Sequence, residues 1–111
     1  MPALLLLMAK KLVVMIACHF IGDYPLQMDW MAKLKGKDSH ALFAHVMTYT
    51  SVFALLMLVP WMDMSIQAIA LICVSHAIID PLKARWKLFG LFVDQSLHIG
   101  ILIFCVLMGW V

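Results

Sequence analysis

Four runs of apolar residues, each close to the length that crosses a lipid bilayer, dominate this 111-residue chain. They extend from Ala3 to Gly22, Ala41 to Val59, Met64 to Ile79 and Leu88 to Val111. A transmembrane helix needs about 20 mostly apolar residues. Composition excludes a water-soluble core as the alternative. Hydrophobic residues make up 66% of the chain and charged residues only 13%, whereas soluble domains are about half apolar and a quarter charged. A chain this short has too little interior to hide the excess. The expected fold is one all-α, polytopic membrane domain of four transmembrane helices, with the bilayer as its solvent and partner.

The first run opens with MPALLLL, as a signal peptide can, but it has no basic start. Lys10 and Lys11 follow with no small-residue cleavage pattern, so it reads as the first span. The stems of those lysines can snorkel or line a polar interior. The third run has 16 residues between Asp63 and Asp80, about 24 Å of helix, which suits a thin local bilayer or burial in the bundle. Pro25, Pro60 and Pro81 stand where the first three spans should end, and Asp38 or Ser39 can cap the second. Lys33, Lys35 and Lys37 fall between spans one and two, and Lys83, Arg85 and Lys87 between three and four. The loop between two and three has no basic residue. Positive loops face the cytoplasm, so both termini are expected outside, as in a multi-pass protein of a bacterial inner membrane. A net charge of +2, close to span ends, does not suit nucleic acid. Cys18, Cys73 and Cys105 are far apart and within apolar stretches, as packing residues would be.

The stretch CHFIGDYPL then poses a problem: a histidine and an aspartate lie four residues apart inside an apolar run. The pattern recurs as His76 and Asp80, and reversed as Asp94 and His98. A spacing of four puts both side chains on one helix face. Given six aspartates in the chain, three of its five histidines having one at that spacing is an accident on the order of 1%. Span direction places all five histidines, His19, His40, His45, His76 and His98, and the three aspartates in the cytoplasmic leaflet or at its edge. Asp23 and Asp80 are expected at helix C-termini, where the macrodipole disfavours a carboxylate, so a positive partner is expected nearby: a divalent cation, a protonated histidine or a basic loop residue such as Arg85. Imidazole with carboxylate suits zinc, manganese, iron or, with fewer histidines, magnesium. The candidate ligands are His19, Asp23, His45, His76, Asp80, Asp94 and His98, enough for one or two metals. His40, Gln27, Gln95 and Arg85 are candidates for a supporting shell or rim. The competing reading is structural: each aspartate hydrogen-bonds its own histidine, and the polar groups pin helices together at about 0.6 kcal/mol apiece.

Setting His19 over His76 also aligns Ile21 with Ile78 and Asp23 with Asp80. With Tyr24 skipped, Pro25, Leu26 and Trp30 align with Pro81, Leu82 and Trp86. The chain thus divides into two hairpins, about 1–60 and 61–111, whose pseudo-two-fold axis would run along the membrane normal.

The series HFIGDYPLQ, then HAIID with a basic turn, then DQSLH, resembles a family of short bacterial and phage membrane proteins classed only as a domain of unknown function. That resemblance spans about His19 to His98 and implies a polytopic helical membrane protein. A more distant similarity, of style rather than aligned sequence, is to membrane-bound metal-dependent hydrolases. Three functions compete. A hydrolase would use the metal to activate water, with Lys83, Arg85 and Lys87 holding an anionic lipid or phosphate. A structural or partner-binding subunit would use the polar pairs for packing. Transport of protons or divalent cations would need association of several copies, and the outer halves of the spans are almost purely apolar.

Overall fold

A computed structural model describes residues 2–111. It is all-helical, with no strand among the described residues: α1 (Ala3–Asp23), α2 (Asp29–Leu34), α3 (Ser39–Ala54), α4 (Ile66–Ala84) and α5 (Leu91–Leu107). A 3-10 turn over Leu55–Leu58 prolongs α3, and a second, Pro60–Met62, starts the link to α4. Three helical stretches are long and apolar enough to cross a membrane: Ala3–Asp23, Ser39–Leu58 and Ile66–Ala84. The chain is thus of membrane-protein character.

Round the bundle the order is α1, α3, α4, α5, so α1 and α4 stand on one diagonal and α3 and α5 on the other. Met15, Tyr49, Phe53, Ile72, Leu102 and Cys105 fill the centre and are almost wholly buried. The outward faces remain apolar: Leu4, Val13, Phe43, Ile66 and Phe92 are all exposed. That is the pattern of side chains meant for lipid rather than water. Gly22 lets α1 approach α3, since a Cβ there would lie 3.1 Å from the Tyr49 ring and 3.3 Å from its Cα.

Helix ends follow local chemistry. The Asp38 carboxylate accepts the His40 N–H at 3.0 Å and caps α3. Ser65 Oγ accepts the Ala68 N–H at 3.1 Å and caps α4. The first two spans match expectation to within a few residues, and two other expectations fail. Pro81 does not end the third span: α4 continues through it to Ala84. Lying in the last turn, Pro81 removes only one intrahelical bond, and its carbonyl still accepts from Arg85 at 2.8 Å. The fourth helix stops at Leu107 rather than Val111, leaving 17 residues, about 26 Å. Gly109, at φ 71°, turns the chain back. Trp110 N–H then bonds Cys105 O at 3.0 Å and Gly109 N–H bonds Val106 O at 3.1 Å, a Schellman ending. The Trp110 carbonyl goes on to accept the Ser65 N–H at 3.0 Å, tying the end of α5 to the start of α4.

The two lysines of α1 do not interrupt it. Lys10 is exposed, whereas Lys11 is buried and reaches Asp63 at 3.2 Å. The basic loop after α1 is more ordered than its composition suggests, because α2 lies within it and buries Met31. Behind α2, Gly36 touches the end of α4 so closely that a Cβ would sit 2.7 Å from the Ala84 carbonyl oxygen. Arg85 Nε donates to the Gly36 carbonyl at 2.9 Å.

Candidate metal centre

The polar residues collect at one end of the bundle, because successive long helices run in opposite directions. α1 delivers His19 and Asp23 from its C-terminal end, and α4 delivers His76 from its middle and Asp80 one turn before its end. α3 and α5 deliver His45, Asp94 and His98 from their first few turns. All seven are at most 5% exposed. Burying three carboxylates in so apolar a bundle is costly unless each is paired, so their partners decide what the site is.

Asp23 is the hub. Its Oδ1 lies 3.3 Å from His45 Nε2 and 3.8 Å from His76 Nε2, and those two nitrogens are 2.9 Å apart. Asp80 Oδ2 is 3.9 Å from His45 Nε2 and has no hydrogen-bond partner among the described residues. Asp80 Oδ1 receives Lys35 Nζ at 3.1 Å. The other Asp23 oxygen accepts from Gln95 Nε2 at 3.1 Å, and the same amide nitrogen donates to Asp94 Oδ2 at 3.0 Å. Gln95 Oε1 meets His19 Nε2 at 2.7 Å, so that ring nitrogen carries the proton, while His19 Nδ1 faces the Tyr49 hydroxyl at 2.7 Å. With Nδ1 then an acceptor, Tyr49 donates. Asp94 Oδ1 and His98 Nε2 face each other at 3.3 Å without hydrogen-bond alignment. Lys83 Nζ stands 3.9 Å from Asp94 Oδ2.

Ring packing sets the imidazole orientations. His76 lies between Tyr49 and His98, with centroids at 3.9 Å and 4.4 Å and both pairs stacked. The Nδ1 atoms of His45 and His76 have no partner among the described residues, so ring packing and the 2.9 Å hydrogen bond between the two Nε2 atoms set where both rings point.

Three groups place one ligand atom per residue within 4.8 Å of one another: Asp23 with His45 and His76; His76 with Asp80 and His98; Asp23 with Asp94 and His98. For ligands about 2.1 Å from a tetrahedral ion, neighbouring donors are separated by about 3.4 Å. The first group, with edges of 2.9, 3.3 and 3.8 Å, brackets that value. The residues present therefore fit a metal ion.

The i, i+4 spacing leads to an arrangement different from its simplest reading. Neither His19 nor His76 bonds the aspartate of its own pair; His19 meets Gln95 and Tyr49 instead. His45, which has no aspartate at that spacing, lies nearest Asp23. Of the supporting residues, Gln95 joins the cluster. His40 is exposed and stacks on Trp30, with centroids 5.9 Å apart. Gln27 donates to the Asp23 backbone carbonyl at 3.3 Å, not to the carboxylate. Arg85 is exposed at the rim, bonded to Gly36. Just past α1, partial burial and the carboxylates of Asp23 and Asp94 push the Tyr24 hydroxyl pKa up. Lys35 and Tyr49 become members that spacing alone did not single out as ligand partners. The signal for Tyr49 was its place one turn beyond His45.

Fold and site together define an all-helical protein with membrane-length helices and a buried imidazole and carboxylate centre able to hold a metal ion. The chain belongs to the family described as protein of unknown function (DUF3307), which matches residues 11–111, in keeping with the resemblance carried by its histidine and aspartate motifs. No curated protein and no solved structure matches it.

Proposed function

We propose that this chain is a four-span protein of the bacterial inner membrane, with both termini outside, that binds a divalent metal ion at its cytoplasmic end and hydrolyses a lipid or other phosphate-containing substrate. The triangle of Asp23 Oδ1, His45 Nε2 and His76 Nε2 carries this reading: three buried donors aim at one point with the edges a metal requires. The unpartnered Asp80 Oδ2 beside them is a fourth donor. The diagonal placement of α1 and α4 supports two tandem hairpins related by a pseudo-two-fold axis.

A metal there would lower the pKa of a bound water toward 7 and polarise a phosphoryl oxygen. A groove of about 370 Å³ beside α4, walled by Leu42, Ala77, Ile78 and Leu82 with Arg85 and Trp86, suits an acyl chain next to an anionic headgroup. Lys83, about a third exposed, can follow a phosphate into the site. Transport has less support, because the core beyond the cluster is apolar from Met15 to Leu102.

The test is elemental analysis of protein purified in detergent without chelator, together with phosphate release from a phosphomonoester lipid. Stoichiometric zinc, manganese or iron in the wild type, lost in His76→Ala, and phosphate release abolished by chelation are the expected results. Absence of a stoichiometric divalent ion from the wild type overturns the metal reading. Bound metal without hydrolysis overturns the reaction. The closed chain from Tyr49 through His19 and Gln95 to Asp23 and Asp94 favours one second reading, a polar clasp for packing alone. On that reading His76→Ala lowers stability, and no metal is present to lose.

A further inference from the structure

The metal triangle leaves Asp94 and His98 unused, yet these are two of the most deeply buried polar side chains, at 1% and 2% exposure. They occupy successive turns at the start of α5, and Asp94 Oδ1 and His98 Nε2 confront each other at 3.3 Å, neither with a hydrogen-bond partner among the described residues. An oxygen of Asp23 lies within 4.8 Å of a ligand atom of each. Two unpartnered donors aimed at one point beside a third carboxylate describe a second cation position.

We infer that the centre is dinuclear, with one ion at Asp23, His45 and His76 and a second at Asp94 and His98, the Asp23 carboxylate being shared between them. This rests on the metal reading above and extends it to a class of substrate. Asp23 has the disposition of a bridge: Oδ1 faces His45 and His76, and Oδ2 is held beside Asp94 Oδ2 by the single Gln95 amide nitrogen, at 3.1 and 3.0 Å. Each position also has its own ammonium group. Lys35 reaches Asp80 at 3.1 Å, and Lys83 approaches Asp94 at 3.9 Å.

The charges suit the assignment. Asp23, Asp80 and Asp94 contribute −3 and the two lysines +2, leaving −1 with the histidines neutral, as metal ligation requires. Two divalent ions in place of the two ammonium groups change −1 to +1. Lys35 caps the end of α2 and Lys83 lies in the last turn of α4; with side chains 12% and 31% exposed, each can swing away and face an incoming anion. A pair of ions sharing a carboxylate, with lysines at the rim, matches the two-metal arrangement that holds both oxygens of an in-line displacement at phosphorus. The substrate class is accordingly a phosphate ester, whether lipid headgroup or soluble; phosphate release from a phosphomonoester in micelles against a water-soluble one separates the two sources.

The experiment loads the full-length protein with manganese alone, after chelation and in detergent, and combines elemental analysis with electron paramagnetic resonance. Two ions per chain and an exchange-coupled spectrum are expected. Asp94→Asn and His98→Gln, both near-isosteric, should each leave one ion and an uncoupled spectrum. A single uncoupled ion in the wild type, or two ions retained in both variants, overturns the dinuclear assignment while the metal reading stands. No bound ion overturns both. The wild-type stoichiometry decides the matter even if a variant fails to fold.

Discussion

Replacing Lys35 by methionine gives the most direct test of how the carboxylates are balanced. In the structure Lys35 Nζ lies 3.1 Å from Asp80 Oδ1, and the aspartate side chain is 2% exposed. Methionine keeps most of the apolar stem and removes the charge. Asp80 Oδ2 already has no hydrogen-bond partner among the described residues, so the variant leaves a buried carboxylate with only the His45 imidazole, 3.9 Å away, to face it. Breaking a buried pair in this way costs about 3–5 kcal/mol, or two to nearly four orders of magnitude in the unfolding equilibrium at 1.36 kcal/mol per decade. A divalent ion bound beside Asp80 would supply the missing charge, so the deficit should be large in chelator and small with metal at saturation. At 1,000 times its dissociation constant, a ligand stabilises the folded state by about 4.1 kcal/mol. The assay is unfolding in a denaturing detergent followed by tryptophan fluorescence, in chelator and again in excess manganese. Linkage imposes a second check. Whatever part of the deficit metal restores must reappear as tighter metal binding by the variant, by the equivalent factor. Equal stability of variant and wild type in chelator would refute the pairing, and a deficit unchanged by metal would refute Asp80 as a metal donor.

Three further substitutions probe the scaffold. Gly36→Ala should destabilise the protein by about 1–3 kcal/mol, since its Cβ would meet the Ala84 carbonyl at 2.7 Å; cleavage within residues 25–38 by limited proteolysis should accelerate as that loop lifts. Tyr49→Phe removes the hydroxyl facing His19 Nδ1 and should cost about 1–3 kcal/mol for the unpaired buried nitrogen, measured by detergent unfolding, with metal stoichiometry unchanged. Ser65→Ala deletes the α4 cap and should cost about 1 kcal/mol by the same measurement, also without altering metal content.

The gathering of the site residues at one end of the bundle was readable from the sequence because it follows from two simple quantities, span length and span direction. Those place His19, Asp23, His45, His76, Asp80, Asp94 and His98 at one end of the bundle, where the structure has them. Pairing within the cluster was not readable. A spacing of four states that Asp23 and His19 share a face, but which residues that face meets is decided by α3 and α5. The result is Gln95 against His19 and His45 against Asp23. Lys35 escaped notice for a related reason: its loop composition signals only membrane orientation, and α2 is what brings the ammonium to Asp80. The helix ends at Ala84 and Leu107 turned on a single lost hydrogen bond at Pro81 and one left-handed glycine, Gly109. Both are too local to shift a hydropathy pattern.

The metal triangle draws Asp23 from α1, His45 from α3 and His76 from α4. Neither hairpin alone holds a complete set, since the first lacks His76 and the second lacks Asp23 and His45. An ion bound there would act as a buckle between the two halves of the chain and could close only after they have docked. Cut between residues 59 and 66 and expressed as two pieces, the protein would make metal capture a direct measure of its own assembly, with affinity rising as the hairpins find each other in the bilayer.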